Sequence, residues 1–234
     1  LELLRAQLQS HVSGIIFVTP SPDNKSRSLI RKSGIPLLYA LNPDPTGRYP
    51  AVVFDDENAA ETLLTEALRM WRRIPSAGEI VVLAGRKQDR AASRRVQGFV
   101  HALETLDGPT PRLLECDGTV DSAHATVLSF LRNEQPKILA ATTDYFAIAA
   151  ARAAFDAGVA IPRQLSILGF GENVYSHTCS PTITTVRFDG RLLGEKCGLT
   201  IASLMEGKKP QRLTVLGFEL VPGESCPLLM KDAR

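Results

Sequence analysis

Short apolar runs that alternate with stretches of helical periodicity, along almost the whole chain, constrain the fold more than any other feature. The runs lie at residues 14–18, 36–40, 51–54, 79–84, 112–115, 137–141, 165–169 and 183–186. Between them apolar residues recur three and four apart: Leu63, Leu64, Ala67, Leu68 and Trp71, then Val96, Phe99, Val100 and Leu103, then Phe146, Ala149, Ala150 and Ala153. A strand that is apolar without alternation needs cover on both faces, and crossover helices between parallel strands supply it. The expected class is therefore α/β, with doubly wound parallel sheets.

The 234 residues suffice for one large domain or two modest ones, each with a real core. Twenty-seven Lys and Arg against 25 Asp and Glu leave a net charge of only +2, so the chain as a whole has no strong field for a polyanion. Four cysteines, Cys116, Cys179, Cys197 and Cys226, form no CxxC pair and read as free, mostly buried thiols in a reducing, cytoplasmic compartment. The four histidines have neither metal-ligand spacing nor an evident nucleophile to serve. No GxGxxG, GxxxxGK[ST] or GxSxG pattern occurs. The reading is of a protein with no catalytic residue, no metal and no cofactor. No stretch has the length of a membrane span, and the opening LELLRAQLQS lacks the layout of a signal peptide.

Three segments carry candidate chemistry. Residues 165–186, LSILGFGENVYSHTCSPTITTV, read as a buried strand, a glycine-broken loop and a second strand. Such a loop at a strand's carboxyl end is a natural ligand position in an α/β sheet. In residues 85–99, Ser93 is a candidate N-cap that places Arg94 and Arg95 in the first helical turn. Cations are disfavoured there, so something must offset them: an anionic or polar ligand, or an ion pair with Asp89, Asp56 or Glu57. An anionic effector is the sharper of these expectations. In residues 140–154, Thr142, Thr143 and Asp144 sit where a strand passes into a helix. They either cap that helix or offer the Asp144 carboxylate to sugar hydroxyls. The loops at 85–95, 116–122, 142–144 and 170–175 should open on one sheet edge.

The chain opens on a helix-like segment, with Leu1, Leu4 and Leu8 on one face and no strand before it. An amino-terminal portion outside this sequence is expected on that ground. Near the other end a helix over about 191–205 precedes an apolar run at 213–221.

These pieces, in order, resemble the effector-binding core of the lactose-repressor family of transcriptional regulators, itself similar to periplasmic sugar-binding proteins. The matching stretches are SGIIFVTP (13–20), SGIPLLYA (33–40), VVFDDENAAETLLTEAL (52–68), SRRVQGFVHALE (93–104), TTDYFAIAAARAAFDAGVAIPRQLSILGFGEN (142–173) and SPTITTVRFDGRLLGEKC (180–197). The resemblance implies two parallel-sheet subdomains of type I periplasmic-binding-protein architecture, joined by three crossovers, with the effector in the cleft between them. It assigns residues 1–54 and 188–212 to the amino-terminal subdomain, residues 55–187 and 213–225 to the carboxy-terminal one, and 226–234 to a tail. It also implies a helix-turn-helix, a hinge and a first strand before residue 1.

By position, the resemblance makes Arg95, three residues before Gly98, an effector contact beside Arg94, and Asp144 a second; Ser93, Gly118 and Phe188 fall at further effector positions. One departure is informative. Where the family commonly has GFDD, this chain has Gly169, Phe170, Gly171 and Glu172. Gly171 replaces a frequent ligand-binding aspartate, leaving Glu172 or Asn173 to take its place. The implied function is the effector-binding and dimerisation core of a cytoplasmic DNA-binding regulator. Its partners would be a sugar or sugar-phosphate effector, a second copy of itself and, through the amino-terminal domain, operator DNA, with no membrane. The alternative is a solute-binding protein of a sugar transporter.

Overall fold

The computed structural model describes residues 2–18, 24–70, 73–86 and 90–228; Leu1, Trp71, Asp89 and the end of the tail lie outside them. In chain order the elements are α1 (Glu2–Gln9), β1 (Ile15–Phe17), α2 (Asn24–Ser33), β2 (Leu37–Ala40), β3 (Ala51–Phe54), α3 (Asp56–Arg69), β4 (Ile80–Ala84), α4 (Arg90–Glu104) and β5 (Arg112–Glu115). They continue with α5 (Val120–Leu131), β6 (Ile138–Ala141), α6 (Asp144–Asp156), β7 (Ser166–Leu168), a 3-10 turn (Val174–His177), β8 (Thr185–Arg187), α7 (Gly190–Met205), β9 (Leu213–Leu216) and β10 (Glu219–Val221). The expected α/β class is borne out. Every strand of both four-stranded sheets pairs in parallel.

The chain divides into unit 1, Leu1–Asp55 with Asp189–Gly217, and unit 2, Asp56–Phe188 with Phe218–Arg234, and passes between them three times. Unit 1 is built on a sheet of order β1-β2-β3-β9. Unit 2 is built on β5-β4-β6-β7, with β8 and β10 forming a separate antiparallel ribbon. An isolated parallel bridge between Leu168 and Thr184 ties that ribbon to β7.

Unit 2 shows why its strands read as unbroken apolar runs. Successive residues of a strand point to opposite faces. Ile80 and Val82 of β4 therefore join Leu63, Leu64 and Phe99 from α3 and α4, while Val81 and Leu83 join Val127, Phe130 and Ala150 from α5 and α6. Both faces are covered, and each fully buried aliphatic side chain contributes about 1.5–3 kcal/mol. The contact of α3 with α4 depends on Gly98, where a Cβ would lie 2.0 Å from the carbonyl oxygen of Glu57.

One boundary expected from sequence is corrected. The strand after Leu213 does not belong to the carboxy-terminal subdomain: β9 pairs with β3, Val53 opposite Val215, and so completes the sheet of unit 1. The chain rejoins unit 2 at Phe218, and only β10 pairs there, with β8. Residues 213–217 are thus unit 1. Their own pattern is that of an edge strand, buried only at Leu216, which does not reveal the sheet they will join.

Candidate functional site

Because β4, β5, β6 and β7 run parallel, the loops that follow them all leave the same edge of the unit 2 sheet. Three of these loops line a cleft of about 660 Å³: Gly85 and Arg86 after β4, Asp117, Gly118 and Thr119 after β5, and Thr142, Thr143, Tyr145 and Phe146 after β6. That volume suits a small molecule. Tyr145 is half exposed and Phe146 nearly buried, so the wall offers aromatic surface beside hydroxyls. Among the described residues one cation and one carboxylate, Arg86 and Asp117, lie in this lining, so their charges balance. The Arg86 Nε donates to the Asp117 carbonyl oxygen. The Asp117 carboxylate accepts from the Thr119 hydroxyl at 2.7 Å and the Thr119 backbone N–H at 2.8 Å. Those bonds hold its pKa below the ordinary carboxylate range.

Thr142 is fully buried, and its hydroxyl has no hydrogen-bond partner. A polar atom left unpaired in a protein interior costs roughly 1–3 kcal/mol, so its position in a cleft wall marks a point where a ligand can bond. Thr143 caps α6, its hydroxyl accepting from the Phe146 N–H at 3.3 Å.

Asp144 is 1 % exposed and ties the start of α6 to the loop after β7 and to β8. One carboxylate oxygen accepts from the Thr185 hydroxyl at 2.6 Å and the other from the Asn173 N–H at 2.9 Å, while its own N–H donates to the Phe170 carbonyl at 3.0 Å. Of the two readings of this segment, capping holds at Thr143, while the Asp144 carboxylate is engaged by protein groups rather than open to a sugar. It positions the loop after β7 against β8.

Arg94 and Arg95 both reach Asp56, which is 3 % exposed, at 2.8 Å. Arg95 also donates to the Thr142 carbonyl at 2.8 Å and lies 4.3 Å over the Phe170 ring. The charge that offsets the two arginines is thus Asp56; Glu57 instead faces His101 at 3.1 Å. A further premise is corrected. Ser93 is not the N-cap, because α4 is already helical at Arg90, and Arg94 and Arg95 belong to its second turn rather than its first. With the helix start moved and Asp56 in place, these arginines supply no separate argument for an anion.

The departure at Gly171 has a backbone cause. Its φ of +116° lies where a side chain is strained, so an aspartate would fit poorly. Glu172 follows at φ +45°, and its carboxylate is taken by Arg187 and, at 2.8 Å, by His177. Hydrogen bonding from Arg187, opposed by burial and aided by His177, lowers its pKa. Asn173 caps the following 3-10 turn through Oδ1, at 2.8 Å to the Tyr175 N–H, and leaves its buried Nδ2 unpaired. Phe188 packs on Phe170, ring centres 5.5 Å apart.

The structure therefore brings Gly118 into the cleft wall beside Thr142, Thr143 and Tyr145, and ties Arg95 to Thr142 and Asp144 to Asn173. It does not place Ser93, Arg94, Arg95, Asp144, Glu172, Asn173 or Phe188 in that wall. Sequence reasoning missed Arg86, Asp117 and Tyr145, although their loops were among those expected to share this edge. Among the described residues no group of His, Cys, Asp and Glu could hold a metal, and no helix is long and apolar enough to cross a membrane. All four cysteines are free thiols, Cys179 half-buried and the others buried.

Comparison with known proteins places this geometry in context. The family described as the periplasmic binding protein-like domain matches residues 77–226. Catabolite control protein A of Priestia megaterium is 27% identical over 190 residues, 80% of this chain and 56% of that protein. The HTH-type transcriptional regulator DegA of Bacillus subtilis is 26% identical over 219 residues, 91% of this chain and 64% of its own length. The chain thus spans less than two thirds of these relatives, which are regulators rather than enzymes. Among solved structures, the transcriptional regulator CelR in complex with cellobiose superposes with a TM-score of 0.85 at 21% identity, covering 96% of this chain and 69% of that one. The lac repressor dimer bound to operator and an anti-inducer gives 0.82 at 22%, covering 95% and 76%. At these identities the superpositions speak to the fold.

Proposed function

Since the chain belongs to the periplasmic-binding-protein-like domain family, as its likeness to the lactose-repressor core implied, we propose that it is the effector-binding core of a DNA-binding transcriptional regulator whose effector is a neutral sugar. The cleft at the strand ends of unit 2 carries this reading. Tyr145 and Phe146 offer aromatic surface to the apolar face of a sugar ring, and Thr142, Thr143 and Thr119 offer hydroxyls to its rim. The balance of Arg86 against Asp117 favours an uncharged ligand over a phosphorylated one. The named relatives support the regulatory role, and the CelR complex makes cellobiose the first disaccharide to try.

In this proposal the protein acts in the cytoplasm as a homodimer and reads operator DNA through an amino-terminal helix-turn-helix. Sugar binding matters for regulation only if it favours one arrangement of the chain over another. Calorimetry with a panel of neutral mono- and disaccharides and their phosphates tests the ligand class. A neutral sugar should bind with one site per chain, and Tyr145→Ala should weaken it by about tenfold, the scale of a lost sugar–aromatic contact. Binding confined to phosphorylated sugars, or indifferent to Tyr145→Ala and Thr142→Val, would overturn the proposal.

A further inference from the structure

Unit 1 contains a second cavity, of about 410 Å³, which the effector reading does not use. It lies between α2 and the loop at 41–50 that joins β2 to β3 without a helix. Ile30 and Tyr39, both buried, belong to its lining. Arg27, Ser28 and Arg31 approach it from α2, and Asp44, Thr46, Arg48 and Tyr49 from the loop.

Its charge is what sets it apart. Residues 24–48 hold five Lys and Arg and a single acidic residue, Asp44, in a chain whose total is only +2. Arg27 and Arg31 are four apart on α2 and so share one helix face, a like-charge arrangement that weakens a helix. Asp44 does not neutralise the group by pairing. Its carboxylate is occupied by its own loop: the Thr46 hydroxyl at 2.6 Å, the Thr46 N–H at 3.3 Å, and the N–H groups of Arg48 at 2.8 Å and Tyr49 at 3.2 Å. Those bonds shape the turn that carries Arg48 and Tyr49 to the cavity. Among the described residues neither Arg31 nor Arg48 forms an ion pair.

The guanidinium groups of Arg31 and Arg48, neither held in an ion pair and sharing this lining with an Asp44 carboxylate already engaged by its own loop, border a concave space of small-molecule size. Such forked N–H groups match the geometry of an oxyanion. We propose that this cavity in unit 1 is an anion site for a small phosphate- or carboxylate-bearing metabolite, with Arg31 and Arg48 as its principal donors and the Ser28 and Tyr49 hydroxyls beside them. The concavity favours a small molecule over the backbone of a nucleic acid, which a convex or flat basic surface would serve better. The site shares no residue with the unit 2 cleft.

The test is calorimetry on the whole chain with glucose 6-phosphate, inorganic phosphate and citrate, and with glucose and a DNA duplex of arbitrary sequence as contrasts. At least one of the three small anions should bind saturably, one per chain, and more weakly as salt is raised. Glucose 6-phosphate without phosphate or citrate would identify a sugar phosphate; citrate alone would identify a polycarboxylate. Arg48→Gln, on an exposed loop and thus harmless to the fold, should weaken that binding by about tenfold, and Arg31→Ala by a similar factor. Arg86→Ala should leave it unchanged. Three results overturn the proposal: no saturable binding of any of the three anions, binding indifferent to both arginine substitutions, or binding by the DNA duplex alone.

Discussion

The two units solve the same packing problem to different depths. In unit 2 three of the four sheet strands, β4, β6 and β7, are buried at every residue, and the apolar clusters on its two faces are both large. In unit 1 only the central pair β2 and β3 is well buried; the edges β1 and β9 are half exposed and the two clusters around them are small. Their polar sites differ in the same sense. Unit 2 neutralises charge internally, with Asp56 between Arg94 and Arg95 and Glu172 between Arg187 and His177, and Arg86 balances Asp117 in its cleft. Unit 1 engages its buried carboxylate Asp44 in a turn, and Arg31 and Arg48 beside the cavity form no ion pair among the described residues. In the two proposed sites, internally paired charge goes with a neutral ligand in unit 2, and Arg31 and Arg48 go with an anion in unit 1.

The largest expected effect breaks unit 2 from within. Asp56→Ala removes the shared partner of two partly buried arginines, and loss of one side of a buried ion pair costs about 3–5 kcal/mol; since Arg94 and Arg95 retain some exposure, the low end is expected. A urea titration of the variant measures it, and a loss below 1 kcal/mol would mean the pair is solvated. Gly98→Ala should cost about 1–3 kcal/mol by forcing α3 away from α4, again by urea titration, with no matching effect at Gly194 of α7, where a Cβ would meet open space.

Much of this division was legible before any coordinates. The runs EIVVLA and KILAA announce themselves as strands covered on both faces, and Thr142 to Asp144 announce a strand end. Other parts were not legible, for definite reasons. The helix α2, NKSRSLIRKS, has only Leu29 and Ile30 to mark an apolar face, so periodicity could not find it. The partner of Arg94 and Arg95 lies 38 and 39 residues away, and among Asp56, Glu57 and Asp89 only tertiary packing chooses. The sheet that β9 joins is likewise decided by pairing rather than by its own residues. Arg86 and Tyr145 carry no pattern of their own and become visible only when the loops after β4 and β6 meet.

Smaller effects sharpen the comparison. Hydrogen exchange should protect the amides of β4 and β6 more than those of β1 and β9, because opening the deeper core exposes more apolar surface. Equal protection would remove the claimed difference. The helix caps should behave alike in both units: Thr143→Ala at α6 and Asp189→Ala at α7 each forfeit a side-chain bond to a helix N–H and should each cost about 1 kcal/mol in thermal melts.

The smallest expected effect is on pH dependence. In unit 2 the bidentate Arg73 ion pair and the Ser76 N–H hold Glu79 down to about 2, Arg152 and His124 lower Asp156, and Asp117 and Glu172 are lowered as described. In unit 1 burial pushes Asp44 up, but its hydrogen bonds from Thr46, Tyr49 and Arg48 outweigh that and lower it. A carboxyl whose folded pKa lies below its unfolded value, about 4, stabilises the fold above that pH and loses the contribution as pH falls through the folded value. Hydrogen exchange repeated at pH 5 and at pH 3 should therefore show the lead of unit 2 over unit 1 narrowing, since more of these carboxylates belong to unit 2. A lead that widens in acid would contradict the assignment.

The division of labour between the units is tested most directly by NMR titration of the isotope-labelled chain, first with cellobiose and then with glucose 6-phosphate, inorganic phosphate and citrate in turn. The neutral sugar should perturb residues 85–86, 117–119 and 142–146 of unit 2, and at least one of the anions residues 27–31 and 44–49 of unit 1. Perturbation of one common set by the sugar and the anions, or of neither set by any of them, would contradict it.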